Sequence, residues 1–236
     1  MKYFSYLILS LIVILVFTVS PVRADNPFID LISGSKIYFS HVPSSDGWET
    51  EIAVINPTAK AASATMTFYS TSGTPIGNAV SINLPAHGRY QTEVGNTFVD
   101  AENIAYLVLT AKVLGLKGYS KFYKDGMRAS IVASAPKNNG LFTKIESDGW
   151  TGIAFINTAS VTANITLTAY SDQGIEMAVE PMQVPAGTKV VKAVEQIFTQ
   201  SITGATYISF DSSQGVVGFF LNGSSNDTML DGSKAL

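Results

Sequence analysis

The sequence predicts an all-β protein made of two tandem Ig-like β-sandwich domains, the products of an internal duplication, preceded by a signal peptide. Three observations carry this. Ser45-Asp46-Gly47-Trp48 returns as Ser147-Asp148-Gly149-Trp150, and these are the only tryptophans in the chain. Each copy leads into a similar run, Ile52-Ala53-Val54-Ile55-Asn56 and Ile153-Ala154-Phe155-Ile156-Asn157. Short alternating segments, separated by turn residues at regular spacing, fill the rest of each copy and favour a sandwich over a barrel. The repeat is about a hundred residues long, too long for a solenoid unit of ~20–50 residues and long enough for its own core. The alternative arrangement is one larger structure in which both copies share sheets.

Residues 1–24 read as the signal peptide. Lys2 gives a positive start, Leu7 to Val19 is an apolar run, and Val22-Arg23-Ala24 supplies a small-residue cleavage site after Ala24. The run is shorter than the ~20 residues of a bilayer span, which favours cleavage over anchoring. The expected address is secreted, periplasmic or cell-surface. Cleavage removes two bases and no acid, leaving thirteen basic against eighteen acidic residues, a net charge of −5. No basic cluster is visible, which argues against nucleic acid and anionic membrane surfaces as partners. The chain has no cysteine, so it has no disulfide, thiol chemistry or lipid-attachment site. An exported chain of this size without disulfides reads as bacterial.

Residues 25–137 form the first predicted module. After a short leader, Lys36 to Val42 has strand composition, and Trp48 to Ile55 is a strand stopped by Asn56-Pro57. Ala64, Met66 and Phe68 alternate with Thr65, Thr67 and Tyr69, the period of a half-buried strand. A hairpin turn at Thr71-Ser72-Gly73 leads to Val80–Leu84, which Pro85-Ala86-His87-Gly88 ends. Tyr90 to Phe98 is ambiguous and closes on a helical turn; Ile104–Thr110, Gly118–Tyr123 and Ala129–Ala133 are further strands. Pro136-Lys137-Asn138-Asn139-Gly140 reads as the linker. Residues 138–236 then replay the pattern, with Tyr207 matching Tyr106, Gly218-Phe219 matching Gly118-Tyr119, and a more helical Val194–Phe198.

The candidate ligand residues are Trp48, Trp150, Asp46 and Asp148, since an indole is a stacking platform for a sugar or an aromatic group. The competing and preferred reading makes Asp-Gly a turn and the tryptophan a packing anchor. Asn56 and Asn157 are expected to bond nearby backbone in turns. The two histidines, His41 and His87, are not matched between copies. No Gly-x-Ser-x-Gly elbow occurs, and Ser33-Gly34-Ser35-Lys36 and Ser134-Ala135-Pro136-Lys137 lack the elements that would make Ser-x-x-Lys catalytic. The chain therefore reads as no enzyme. No cofactor is expected. Zinc is disfavoured by the ligand count, and Asp46 with Glu51 falls short of calcium's ligand set.

Gly47-Trp48-Glu49-Thr50-Glu51-Ile52, Asn56-Pro57, Thr67-Phe68-Tyr69 with Gly73, and Leu84-Pro85-Ala86-His87-Gly88 together resemble a repeat type of secreted bacterial proteins, as does Val216 to Gly223. That resemblance implies Ig-like or fibronectin-like sandwich modules with no assigned activity. The second copy departs from it, with Asn157-Thr158 for Asn-Pro and a Trp strand shortened by one residue at Gly152. The expected role is structural, adhesive or protein-interacting, with an extracytoplasmic protein or a surface polysaccharide as partner. The alternative is a carbohydrate-binding module using Trp48 and Trp150; a secreted hydrolase ranks last.

Overall fold

The computed structural model describes residues 35–226 and 228–236. The predicted signal peptide and nearly all of the leader lie outside the described residues. The described chain is all-β, with strands β1 (Ser35–Phe39), β2 (Glu49–Ile55), β3 (Ala62–Tyr69), β4 (Pro75–Leu84), β5 (Arg89–Glu93), β6 (Tyr106–Ala111), β7 (Lys117–Lys124) and β8 (Met127–Val132) in its N-terminal half. The C-terminal half holds β9 (Lys137–Phe142), β10 (Gly149–Asn157), β11 (Ala163–Tyr170), β12 (Glu176–Val184), β13 (Lys189–Ala193), β14 (Tyr207–Ser224) and β15 (Leu230–Lys234). A single helical turn follows the fifth strand of each half, α1 (Val94–Thr97) and α2 (Val194–Ile197). The ambiguous stretch from Tyr90 is thus strand first and helix after.

The N-terminal half forms two antiparallel sheets, ordered β1-β6-β3-β4 and β5-β2-β7-β8. One core fills the space between them, with Phe39, Met66, Phe68, Leu107 and Leu109 from the first sheet meeting Ile52 and Val54 from the second. In the C-terminal half β14 runs unbroken for 18 residues and belongs to two layers. Tyr207–Ser212 pairs with β11, while Val216–Ser224 pairs with β10. The register to β9 shifts between these two parts. The sequence predicts two strands in this region, as in β6 and β7. Those are separated by a loop with Gly115 at φ +91°, whereas Ser212 to Gly215 stays extended. Every strand pairing of the N-terminal half has a counterpart: β9, β11 and β12 flank the first part of β14, and β13, β10 and β15 the second.

Period-two burial builds these layers. Ala163, Ile165, Leu167 and Ala169 of β11 are buried, as are Ala62, Ala64, Met66 and Phe68 of β3. Asn56 and Asn157 pin the ends of β2 and β10. Asn56 Nδ2 donates to the carbonyls of Lys60 (2.7 Å) and Pro85 (2.9 Å), and Asn157 Nδ2 to those of Val161 (2.8 Å) and Val184 (3.0 Å). His87 occupies a left-handed turn position (φ 57°) that Gly187 (φ 70°) fills in the other half. The stretch read as a linker is mostly strand. Lys137 to Gly140 lies in β9, and an added Cβ at Gly140 would sit 2.8 Å from Phe210 Cε1. Glycine at position 140 therefore serves close packing, and the predicted boundary at residue 137 falls at the first residue of this strand.

Among the described residues the two halves share no sheet but do share apolar clusters. Ile156 and Val217 pack on Tyr38, Tyr106 and Val108, while Ala154 and Phe219 pack on Phe122, Ala129 and Ile131. Polar stitches border the contact: Tyr106 Oη donates to Gly187 O (3.0 Å), and Lys189 N to Thr71 O (2.9 Å). The Lys189 ammonium is buried there with no carboxylate beside it among the described residues. It donates to Ala105 O (2.9 Å), meets His41 Nδ1 at 3.2 Å, and sits 5.1 Å over the Phe219 ring. Burial drives the Lys189 pKa down to about 7. Burial, helped by Lys189, holds His41 well below its ordinary value.

Candidate functional site

The two Asp-Gly-Trp motifs do not occupy equivalent places. Thr50 pairs with Phe122 and Thr151 with Asn222, so Glu49 opposite Tyr123 corresponds to Trp150 opposite Gly223. Trp48 accordingly corresponds to Gly149. Side chains alternate across a strand, so this one-residue offset sends the two indoles to opposite faces. The motif is thus displaced against the strand register and does not mark it.

Trp48 turns inward. Its ring lies 6.1 Å from that of Phe122 and joins the apolar cluster with Leu221 and Leu230. Trp150 turns outward and is 37% exposed. It lies across the strands: an added Cβ would sit 2.2 Å from the indole at Gly223 and 3.5 Å from it at Gly152. The N-terminal half has Tyr123 and Glu51 at those two positions. Two glycines in place of two large side chains let the indole lie flat on β10 and β14.

A groove of about 640 Å³ opens between the β7–β8 turn and the β14–β15 turn. Gly223 lines it, as do Asp148, Asn222, Lys144, Glu146 and Arg128. Asp148 is exposed, and its Oδ1 accepts a long hydrogen bond from Ser225 Oγ (3.4 Å). Lys144 donates to Glu146 at 2.7 Å, which raises the lysine pKa and lowers that of the glutamate. Asn222 is buried. Thr151 Oγ1 donates to its Oδ1 (2.7 Å) while accepting from Glu146 N (2.7 Å). That fixes the amide, and Asn222 Nδ2 is left without a partner among the described residues.

Of the four predicted ligand residues the structure brings Asp148 to this groove and leaves Trp150, Asp46 and Trp48 out of its lining. Asp46 stands in a left-handed turn (φ 53°), where its backbone oxygen accepts from Lys124 Nζ (2.7 Å). Sequence reasoning passed over Asn222 in the groove and over Gly152 and Gly223 under the indole. Their signal is the exchange of Phe122, Glu51 and Tyr123 for Asn, Gly and Gly, readable only once the one-residue offset is known.

A second depression, about 430 Å³, lies on the outer face of β2, β5 and β7. Glu51 and Glu93 stand directly opposite each other there. Both carboxylates are engaged. Glu51 accepts from Tyr119 Oη (2.8 Å) and Lys121 Nζ (3.3 Å), and Glu93 from Tyr123 Oη (2.8 Å) and Asn96 Nδ2 (2.8 Å). The Tyr123 and Asn96 bonds hold Glu93 below the usual carboxylate range, and Tyr123 is pushed up to about 12. Glu93 therefore lacks the raised pKa of a proton-donating carboxylic acid. Among the described residues no group of three or more His, Asp or Glu side chains could hold a metal. No helix among them is long and apolar enough to cross a membrane.

No family model matches the chain, and no curated protein matches it. Solved structures resemble it distantly. A Thermotoga maritima protein aligns with 43% of this chain and 94% of its own at 14% identity and a TM-score of 0.36. A protein described as secreted, from Parabacteroides distasonis, aligns with 83% of this chain and 78% of its own at 10% identity and a TM-score of 0.24. A β-glucuronidase of glycoside hydrolase family 2 aligns with 84% of this chain but 23% of its own, at 8% identity and a TM-score of 0.21. Likenesses this remote carry no argument about activity.

Proposed function

We propose that the chain is an exported, non-catalytic recognition protein, built from two Ig-like modules that arose by duplication. The repeated strand order supports the duplication, and the N-terminal sequence supports export. The role is adhesive or protein-interacting, at the cell surface or in the extracytoplasmic space. The observation that carries the recognition reading is the division of surfaces. The apolar face of the second module is spent on the first, so the two form one body with a groove open where their last hairpins meet. His41 is packed at the junction and His87 is a turn residue, which leaves no histidine poised as a base. The carbohydrate reading loses Trp48, which packs against Phe122, and keeps Trp150.

The test is sedimentation of the purified mature chain with cell-envelope preparations of the organism that encodes it. Saturable co-sedimentation is the expected result. A chain that stays in the supernatant at every concentration overturns the reading.

A further inference from the structure

We infer that the contact between the two halves is an acid-opened hinge, in which protonation of His41 against the Lys189 ammonium parts the halves while each keeps its own core. The hinge concerns the junction alone and does not depend on the recognition reading above.

The pair straddles the contact. His41 follows β1 in the N-terminal half, and Lys189 opens β13 in the C-terminal half. An ammonium has three protons to place. One goes to Ala105 O (2.9 Å) and one to His41 Nδ1 (3.2 Å), and the Phe219 ring lies 5.1 Å away for the third. The set closes only with Nδ1 as a bare acceptor, which puts the imidazole proton on Nε2. A second proton has to enter at Nδ1. It turns the acceptor into a donor and sets an imidazolium against an ammonium at 3.2 Å. The rings of Phe122 (4.7 Å) and Phe219 (5.3 Å) flank the imidazole and offer it no lone pair. Lys189 is buried, whereas His41 keeps part of its surface open to solvent, so a proton can reach it while the halves are still docked.

No acid among the described residues answers this charge. Burial, and Lys189 after it, bear against a charged His41; burial bears against a charged Lys189. The other titratable side chains at the shared clusters are Tyr38 on β1, Tyr69 on β3 and Tyr106 on β6. Burial pushes Tyr38 and Tyr106 upward, so neither ionises in acid. The side chains that β7, β8, β10 and β14 bring to these clusters are apolar. Parting the halves hydrates both bases, and it costs neither core. The main core of one half shares no residue with that of the other, and only the smaller clusters cross between them. The chain itself crosses through residues 133–136, between β8 and β9.

The test follows the full mature chain from about pH 8 to about pH 4.5, across the range in which an unperturbed histidine titrates. Small-angle X-ray scattering is expected to show a reversible expansion below about pH 6.5 with unchanged far-UV circular dichroism, the closed-to-open ratio falling by up to about tenfold per pH unit. In Trp150→Phe the remaining tryptophan is Trp48, whose ring packs in a crossing cluster with Phe122, Leu221 and Leu230. Its emission should shift to the red over the same range. His41→Asn keeps an acceptor oxygen, cannot take the proton and is expected to stay closed. Lys189→Met removes the opposing charge and is expected to open only at lower pH than the parent. A His41→Asn chain already open at about pH 8 is a damaged junction, and Lys189→Met then decides. A parent whose scattering and Trp48 emission stay constant throughout overturns the hinge, as does opening of Lys189→Met, or of a His41→Asn chain closed at the start, at the parent's pH. Expansion with loss of the β signal also overturns it, because the halves would then unfold and not part.

Discussion

The outer face of β2 and β7 in the N-terminal half and that of β10 and β14 in the C-terminal half hold matching places in the strand pairing but meet different surroundings. In the first, Glu51, Tyr119, Lys121 and Arg89 form a solvent-facing network. In the second, Gly152, Phe219, Leu221 and Lys189 hold the corresponding places in the pairing, and the face is covered. The strand order is unchanged; the side chains at alternate positions decide whether the face meets water or protein. Arg89 and Lys189 show the change most clearly. Each cation lies over an aromatic ring, Arg89 over Tyr119 at 5.9 Å and Lys189 over Phe219 at 5.1 Å. Only Arg89 keeps an acid nearby, Glu51 at 3.8 Å, because the second module has Gly152 there. The C-terminal half thus has the cation and the ring in the matching places, with glycine where the N-terminal half has the acid.

Restoring the first module's chemistry to the second should break this comparison most severely. Val217 corresponds to Lys117 and packs among Tyr38, Tyr106 and Ile156. Val217→Lys would bury an unpaired charge and should cost about 3–5 kcal/mol. Urea denaturation should show a lowered midpoint, with the second module released at lower denaturant than the first. An unchanged midpoint would mean that the modules are not held by this face.

The tryptophans give the next largest contrast. Trp48→Ala removes an indole packed on Phe122, Leu221 and Leu230 and should destabilise by about 3 kcal/mol. Trp150→Ala removes an exposed ring and should change stability by less than about 1 kcal/mol. Thermal unfolding of both variants measures the difference, and equal losses would contradict opposite facing.

The junction's pH dependence follows from Lys189 and His41. In the unfolded chain Lys189 titrates near the ordinary lysine value of 10.5, against about 7 in the folded chain. Between those values the unfolded state binds the extra proton, so stability falls as pH drops from 10.5 toward 7 and levels off below. His41, held well below 6.5, adds a second loss as pH falls below 6.5. The total is on the order of a few kcal/mol, limited by the Ala105 carbonyl and the Phe219 ring, which favour the ammonium. Lys189→Met should flatten the alkaline part of the melting-temperature profile and raise stability at pH 6. A profile that keeps its alkaline slope in the variant would exclude Lys189 as its source.

Much of this architecture is legible in the sequence, and the reasons are physical. Alternation at Ala64 to Tyr69 and at Ile165 to Tyr170 specifies half-buried strands because the strand period is two. Asn56 and Asn157 announce strand ends because an amide can satisfy several loose carbonyls at once. Three features were hidden. The continuity of β14 depends on backbone conformation at Ser212 to Gly215, where composition reads as a turn. The strand at Lys137 to Gly140 is stabilised by its β14 partner, which overrides the turn preference of Asn138, Asn139 and Gly140. The most misleading signal was the repeated Asp-Gly-Trp itself. Local identity suggested equivalence, but a one-residue offset reverses the direction of a strand side chain. Asp148 of the groove and the exposed Trp150 were visible as a motif; Asn222 and the two glycines under the indole required knowing which strands pair.

The smallest expected effect lies on the face that stayed polar. Glu51 accepts from Tyr119 and Lys121, and its side chain is only 13% exposed, yet both bases around it reach solvent. Glu51→Gln keeps the shape and an acceptor oxygen while removing the charge. Partly exposed ion pairs contribute about 0–1 kcal/mol, so the variant should melt within a few degrees of the parent. The loss should shrink further in 1 M salt, where the parent's own pairs are screened. A loss of several kcal/mol, insensitive to salt, would show instead that Glu51 is a structural anchor of the sheet, and the contrast between a wet face and a dry one would then be weaker than the side chains suggest.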